Sequence, residues 1–150
     1  MIGCKKFDIK RESRVNVDTA DNISYVDNEP SLRGKSVKAN INLKNVYFGF
    51  DRSDLTEASM KILKENIVYL TNNPSIKIVL EGHTDNRGTS EYNLSLGQRR
   101  AIKVKEYCTK LGISSNRIAT VSYGKEKPAE IGDNESAWSK NRRVEVKTLN

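Results

Sequence analysis

The stretch from Ile76 to Leu111 constrains this chain more than any other. It reads as an apolar strand, IKIVLEG, a polar turn, HTDNRGTSEYN, and an amphipathic helix, LSLGQRRAIKVKEYCTKL. Ile76 to Glu81 carries almost no polar residue besides Lys77, the pattern of a strand covered on both faces. Gly82 reads as the residue that lets the backbone turn on leaving it. Ser95 and Gln98 have the spacing of a capping box, so the helix is expected to begin at Ser95, with Arg99 and Arg100 about one turn inside. Ala101, Val104, Cys108 and Leu111 form its buried stripe and Gly112 supplies the stop. A strand that leads through a helix to another strand implies a sheet with helices packed on it.

The rest of the chain extends that unit. In VYFGF, Val46, Phe48 and Phe50 alternate with Tyr47 and Gly49, the period of a strand that Asp51 closes. Asp54 or Thr56 can cap a first helix with Glu57 in its first turn. Met60, Leu63, Ile67 and Leu70 follow at helical spacing, and Pro74 ends the helix near Asn72 to Asn73. Arg117 to Tyr123 reads as a third strand. A turn-rich connection with a short helix near Glu135 to Lys140 follows, then a last strand from Arg142 to Lys147 with Val144 and Val146 inward. The expected fold is an α/β (α+β) two-layer sandwich of order β-α-β-α-β-(α)-β. Its mixed sheet has four strands, and strand one lies beside strand two. Residues 1–44 are rich in charged, Asn and Ser residues without sustained periodicity. They read as a largely irregular tether, with room for a short strand around Asn40 to Leu43, ahead of a domain over 45–150.

Composition removes several function classes. No apolar run approaches the roughly eighteen residues that a membrane-spanning helix needs. The net charge is +7, but nine basic and six acidic residues precede Asn45 and seventeen and thirteen follow, so no half is a polybasic arm. Nucleic-acid binding calls for basic residues interleaved with exposed aromatics. The basic residues of SKNRRVEV instead alternate with strand valines, so Arg142 and Arg143 are expected to fix the local fold or the pocket wall. The single tryptophan, Trp138, is expected to anchor the short helix to the core. With one histidine, His83, and no second soft ligand near it, neither a metal site nor a cofactor is expected. His83 and Asp85 could share a face, but no nucleophile is placed beside them, so no enzyme is expected. Cys4 and Cys108 are too few and too far apart for a disulfide framework; Cys108 belongs to a helix core face. Cys4 differs, because the string IGC is like the end of a bacterial lipobox, which makes Cys4 the expected lipidated residue of a mature chain.

Asp85, just past its strand, and Arg100, near its helix start, are expected at one rim. Ligands of open α/β sheets settle outside the carboxyl ends of parallel strands. A helix N-terminus and a guanidinium there favour a carboxylate, and an aspartate favours an ammonium. A group with amine and carboxylate on one carbon satisfies both. From spacing alone, an internal salt bridge between the two fits equally well.

Residues 46 to 148 resemble the OmpA-like peptidoglycan-binding domain family and, within it, the peptidoglycan-associated lipoprotein (Pal) branch. The strings VYFGFD, EGHTDNRGTSEYNLSLGQRRA, VSYGKEKPA and SKNRRVEV occur in the branch's order and spacing. The resemblance implies binding of the meso-diaminopimelate of peptidoglycan stem peptides. Asp85 and Arg100 would be the main contacts. Phe50 and Asp51 would line the same pocket, with Leu96, Thr84 and Asn93 in support. It also implies an outer-membrane lipoprotein held by fatty acids such as palmitate on Cys4, with the domain facing the periplasm. The implied partners are TolB and other Tol proteins, in a Tol-Pal system serving envelope integrity and cell division. The alternative is the OmpA-like domain of another envelope protein, such as a porin tail or motor stator, with the same wall-binding role. Asp85→Ala and Arg100→Ala are both expected to abolish retention on peptidoglycan without unfolding the domain.

Overall fold

The computed structural model describes residues 29–150. Among them run five strands and three α-helices. In chain order these are β1 (Val37–Ala39), β2 (Val46–Tyr47), α1 (Glu57–Asn72), β3 (Lys77–His83), α2 (Ser90–Lys110), β4 (Ile118–Gly124), α3 (Glu135–Asn141) and β5 (Arg143–Leu149). The sheet order is β1-β5-β3-β4, with β2 also paired to β5. β3 and β4 are parallel and the remaining pairs antiparallel, so the sheet is mixed, as expected.

Two features of that sheet correct the sequence reading. It has five strands rather than four, because Val37–Ala39 pairs with the far end of β5, Val37 opposite Leu149. That strand lies just upstream of Asn40 to Leu43, where Asn40 instead accepts a turn hydrogen bond from Leu43. The first domain strand also does not lie beside β3. Val46 and Tyr47 pair with Val144 and Arg143, and Phe48 already departs, its N–H bonded to the carbonyl of Arg142. A two-residue contact with an antiparallel neighbour leaves Gly49 to Asp51 free to bend back over the carboxyl end of β3.

Both principal helices begin at threonine caps. Thr56 accepts from the N–H of Ser59 ahead of α1, as expected. At α2 the cap is Thr89, which accepts from Tyr92, so the helix starts five residues before Ser95. Ser95 instead accepts from Arg99, and Gln98 donates to Thr120. Arg100 consequently sits about 15 Å along the axis, at 1.5 Å per residue, far from the positive end of the dipole.

The core lies between the helices and one sheet face. Leu63, Ile67 and Leu70 of α1 and Ala101, Val104 and Cys108 of α2 meet Ile78, Leu80, Ile118, Val144 and Val146. Leu111, expected in that stripe, is instead the helix cap and 45% exposed. Gly82 also departs from expectation, since it lies inside β3 and serves close packing rather than a turn. An added Cβ would stand 1.9 Å from the carbonyl oxygen of Gly97. Upstream of Val46, Leu43 is buried. Lys44 exchanges N–H and C=O bonds of 2.8 and 2.9 Å with the side-chain amide of Asn66. The Glu29 carboxylate bonds Lys105 Nζ and the N–H of Thr120, both at 3.0 Å. Residues 29–44 of the segment read as a tether thus lie against the domain. Cys4 is outside the described residues.

Candidate binding site

At the carboxyl end of β3 a cavity of about 240 Å³ is lined by Phe50, Asp51, Thr84, Asp85, Arg87, Gly88, Tyr92, Asn93, Leu96 and Arg100. All seven residues expected to share a pocket therefore do so. Three elements bring them together: the chain leaving β2, the turn after β3, and the first three turns of α2.

Each side chain is placed by local chemistry. The N–H of Thr84 donates to the carbonyl of Gly124, carrying the turn on from the parallel β3–β4 ladder. Asp85 then folds its carboxylate over the turn and accepts from the N–H of Arg87 at 3.1 Å, the bond by which aspartate favours such turns. Asn93 holds the other end of the loop, donating to the Arg87 carbonyl at 2.8 Å. Phe50 is 57% exposed and forms one wall, while Leu96 is buried in the floor. Asp51 follows with φ of 57°, in the left-handed region that aspartate enters more readily than most residues. Its carboxylate accepts from the hydroxyl of Tyr92.

The two central charges are held differently. Arg100 has no solvent exposure. It donates to the carbonyls of Arg52 at 2.7 Å, His83 at 2.9 Å and Gly49 at 3.1 Å. A guanidinium carries five N–H groups in a rigid fork, and these bonds use three of them. Burial pushes its pKa down to about 10, against the pull of Asp85, and it stays a cation at neutral pH. Arg100 is thus also a strut, tying the end of β3 to the 49–52 bend. Removing it would take one donor from each of three carbonyls, of which Gly49 keeps the N–H of Arg52, so the expectation that Arg100→Ala leaves the domain intact does not fit this geometry.

Asp85 does not pair with Arg100, so the plain internal salt bridge between them is not formed. Its carboxylate meets Arg87 at 2.8 Å and Arg142 at 3.7 Å. Burial works to raise its pKa, but the hydrogen bonds and charge of Arg87, with Arg142 behind, outweigh burial and hold it below the usual carboxylate range.

Arg87 is the charged pocket residue that sequence reasoning missed. Its guanidinium lies between two aromatic rings, 4.0 Å from the centre of Phe50 and 3.7 Å from Trp138. Trp138 thereby corrects its expected role. It is half-buried, its indole N–H donates to Asn86, and it clamps the loop, while Ala137 takes the core position. The Asp-x-Arg spacing in HTDNRG, with aspartate at a turn, was the available signal for Arg87. Tyr92 would have followed from a cap at Thr89. Trp138 comes from a distant segment, which no local pattern links to the pocket. Arg142 also donates to the Phe48 carbonyl and pairs with Glu135, fixing local structure as expected.

The architecture is that of a mixed α/β sandwich binding domain, with a pocket of two acids and two bases at its strand ends. This chain belongs to the OmpA family, whose model matches residues 47–142. Its relatives include proteins named peptidoglycan-associated lipoprotein. The one from Haemophilus influenzae is 52% identical over 99 residues, covering 66% of this chain and 65% of that protein. The one from Pseudomonas aeruginosa is 46% identical over 101 residues, covering 67% and 60%. The chain thus spans just under two thirds of these relatives' length. The crystal structure of the peptidoglycan-associated lipoprotein from Burkholderia pseudomallei superposes with a TM-score of 0.68 at 39% identity, over 71% of this chain and 90% of that one. The OmpA-like domain of FopA1 from Francisella tularensis, at 22% identity and TM-score 0.61, covers 71% of this chain and 72% of its own and shares the fold.

Proposed function

We propose that the domain holds peptidoglycan non-covalently by capturing the zwitterionic end of the diaminopimelate in stem peptides. The observation that carries this reading is the meeting of Asp85 and Arg100, opposite in charge but not paired with each other, in one cavity of about 240 Å³. Asp85 takes the ligand ammonium, for which Arg87 is the present substitute, and the guanidinium of Arg100 takes the carboxylate. Phe50 and Leu96 cover the methylene chain, and Asp51, Thr84 and Asn93 shape the wall. The names of the relatives support a wall ligand. Charge-assisted hydrogen bonds contribute about 1.5–3 kcal/mol each, partly offset by desolvation. A free stem peptide should therefore bind with Kd on the order of 1–100 μM, and many sites on one polymer add avidity.

On the same reading the chain is an outer-membrane lipoprotein acylated at Cys4, facing the periplasm, with TolB and other Tol proteins as partners. The test is co-sedimentation of the chain with isolated peptidoglycan of two kinds. Retention on the diaminopimelate form and its loss on the lysine form, which lacks the distal carboxylate, is the expected result. Equal retention on both would overturn the assignment. Asp85→Asn, which keeps the shape of the side chain, should sediment with neither.

A further inference from the structure

The sheet face turned away from the helices carries a second cluster of charge. Glu81 and His83 lie two residues apart on β3, so their side chains leave the same face. Glu145 is the direct cross-strand partner of Glu81 on β5. His83 is 1% exposed, and neither of its ring nitrogens has a hydrogen-bond partner. Its Nε2 stands 3.8 Å from Glu81 Oε1, beyond hydrogen-bond reach. A fully buried imidazole with both nitrogens unmet calls for an explanation, because buried polar groups are otherwise satisfied.

One ligand atom from each of Glu81, His83 and Glu145 lies within 4.8 Å of the others. A cation already fills the gap between the two carboxylates. Lys147 Nζ sits 3.1 Å from Glu81 and 3.0 Å from Glu145. Its side chain is 30% exposed and opens to water, so the ammonium can withdraw along its flexible stem. Arg143 holds the other oxygen of Glu145 at 2.6 Å, an outer partner that orients the carboxylate.

We propose that Glu81, His83 and Glu145 form a second site that takes a divalent transition ion of the zinc type, displacing the ammonium of Lys147. One imidazole and two carboxylates suit such an ion, and two carboxylates neutralise its charge. Zinc bonds of about 2.0–2.2 Å place tetrahedral ligand atoms about 3.4 Å apart. With all separations within 4.8 Å, no pair need close by more than roughly 1.4 Å, a side-chain adjustment. The fourth position is left to water. Linear spacing gives no hint of this site, because Glu145 is brought in by the β3–β5 register.

Zinc chloride titrated into the full chain tests this, read by calorimetry and by the NMR signals of the imidazole. His83 is the sole histidine of the sequence, so those signals report one place. The expected result is one ion bound per chain with a shift of the His83 ring resonances. Lys147→Met, which removes the competing ammonium, should tighten binding about tenfold, equivalent to about 1.4 kcal/mol. Glu145→Gln, at a half-buried position, should weaken it at least as much while circular dichroism stays unchanged. Zinc held by the Cys4 thiolate would respond to neither substitution. Ring signals that stay fixed at saturating zinc, or affinities equal in both variants and the parent, would overturn the proposal.

Discussion

Gly82 of β3 and Gly97 of α2 meet backbone to backbone. A Cβ on Gly82 would lie 1.9 Å from the Gly97 carbonyl oxygen, and one on Gly97 would lie 2.3 Å from the Ser122 hydroxyl. This contact sets the distance of α2 from the sheet, and hence of Leu96 and Arg100 from the end of β3. Gly82→Ala should cost about 3 kcal/mol or more, the upper range for overpacking, because neither backbone can yield alone. A urea titration measures the loss, and a midpoint equal to that of the parent would contradict the packing described.

Arg100→Lys keeps the charge and loses the fork. A single ammonium cannot reach the carbonyls of Gly49, Arg52 and His83 together. The expected cost is about 3 kcal/mol of stability, seen as a lower urea midpoint, with loss of peptidoglycan retention even under conditions where the variant is folded. Asp85→Asn is the complementary probe, since Asp85 carries no comparable backbone load.

Acid should weaken the fold through a defined set of carboxylates. Burial alone would raise the pKa values of Asp85, Glu81 and Glu145. Arg87 at Asp85, the nearby His83 ring and Lys147 at Glu81, and Lys147 and Arg143 at Glu145 outweigh it and hold all three below their ordinary values. As pH falls, the unfolded chain then takes up protons first. The stability these groups contribute is complete above about pH 5 and is lost as pH drops through their folded values, below the ordinary range near 4. Urea midpoints measured from pH 6 to pH 2.5 should decline accordingly, and Asp85→Asn should make the decline shallower.

Asn66 joins the segment before β2 to α1 by two reciprocal bonds to the backbone of Lys44, and it is 2% exposed. Asn66→Ala leaves a backbone N–H and C=O short of partners. It should cost about 2 kcal/mol and speed amide hydrogen exchange from residue 43 to 47. Unchanged exchange there would show that the segment is held by other contacts.

Asp51 adopts φ of 57°. Asp51→Ala should therefore be less stable than Asp51→Gly by about 1 kcal/mol, since only the former keeps the left-handed penalty once the bond to Tyr92 is gone. Thermal melts of the pair give the difference directly.

Periodicity and caps made much of this domain readable from its residues. The apolar run before Gly82, the spacing of Leu63, Ile67 and Leu70, and Val144 and Val146 each follow from burying one face of a helix or strand, which is a local rule. The same turn chemistry set Asp85 just past β3. Local rules do not say which strand pairs with which, so β2 was expected beside β3 and lies instead on β5. Nor do they distinguish Thr89 from Ser95 as a cap, both being good acceptors. What only the tertiary structure decided is the company each charge keeps. Arg87 lies between Phe50 and Trp138, Arg100 is spent largely on three carbonyls, and Glu145 stands beside Glu81 and His83. Those pairings join segments tens of residues apart. They depend on sheet register and on the close approach of two glycines, quantities that no spacing along the chain contains.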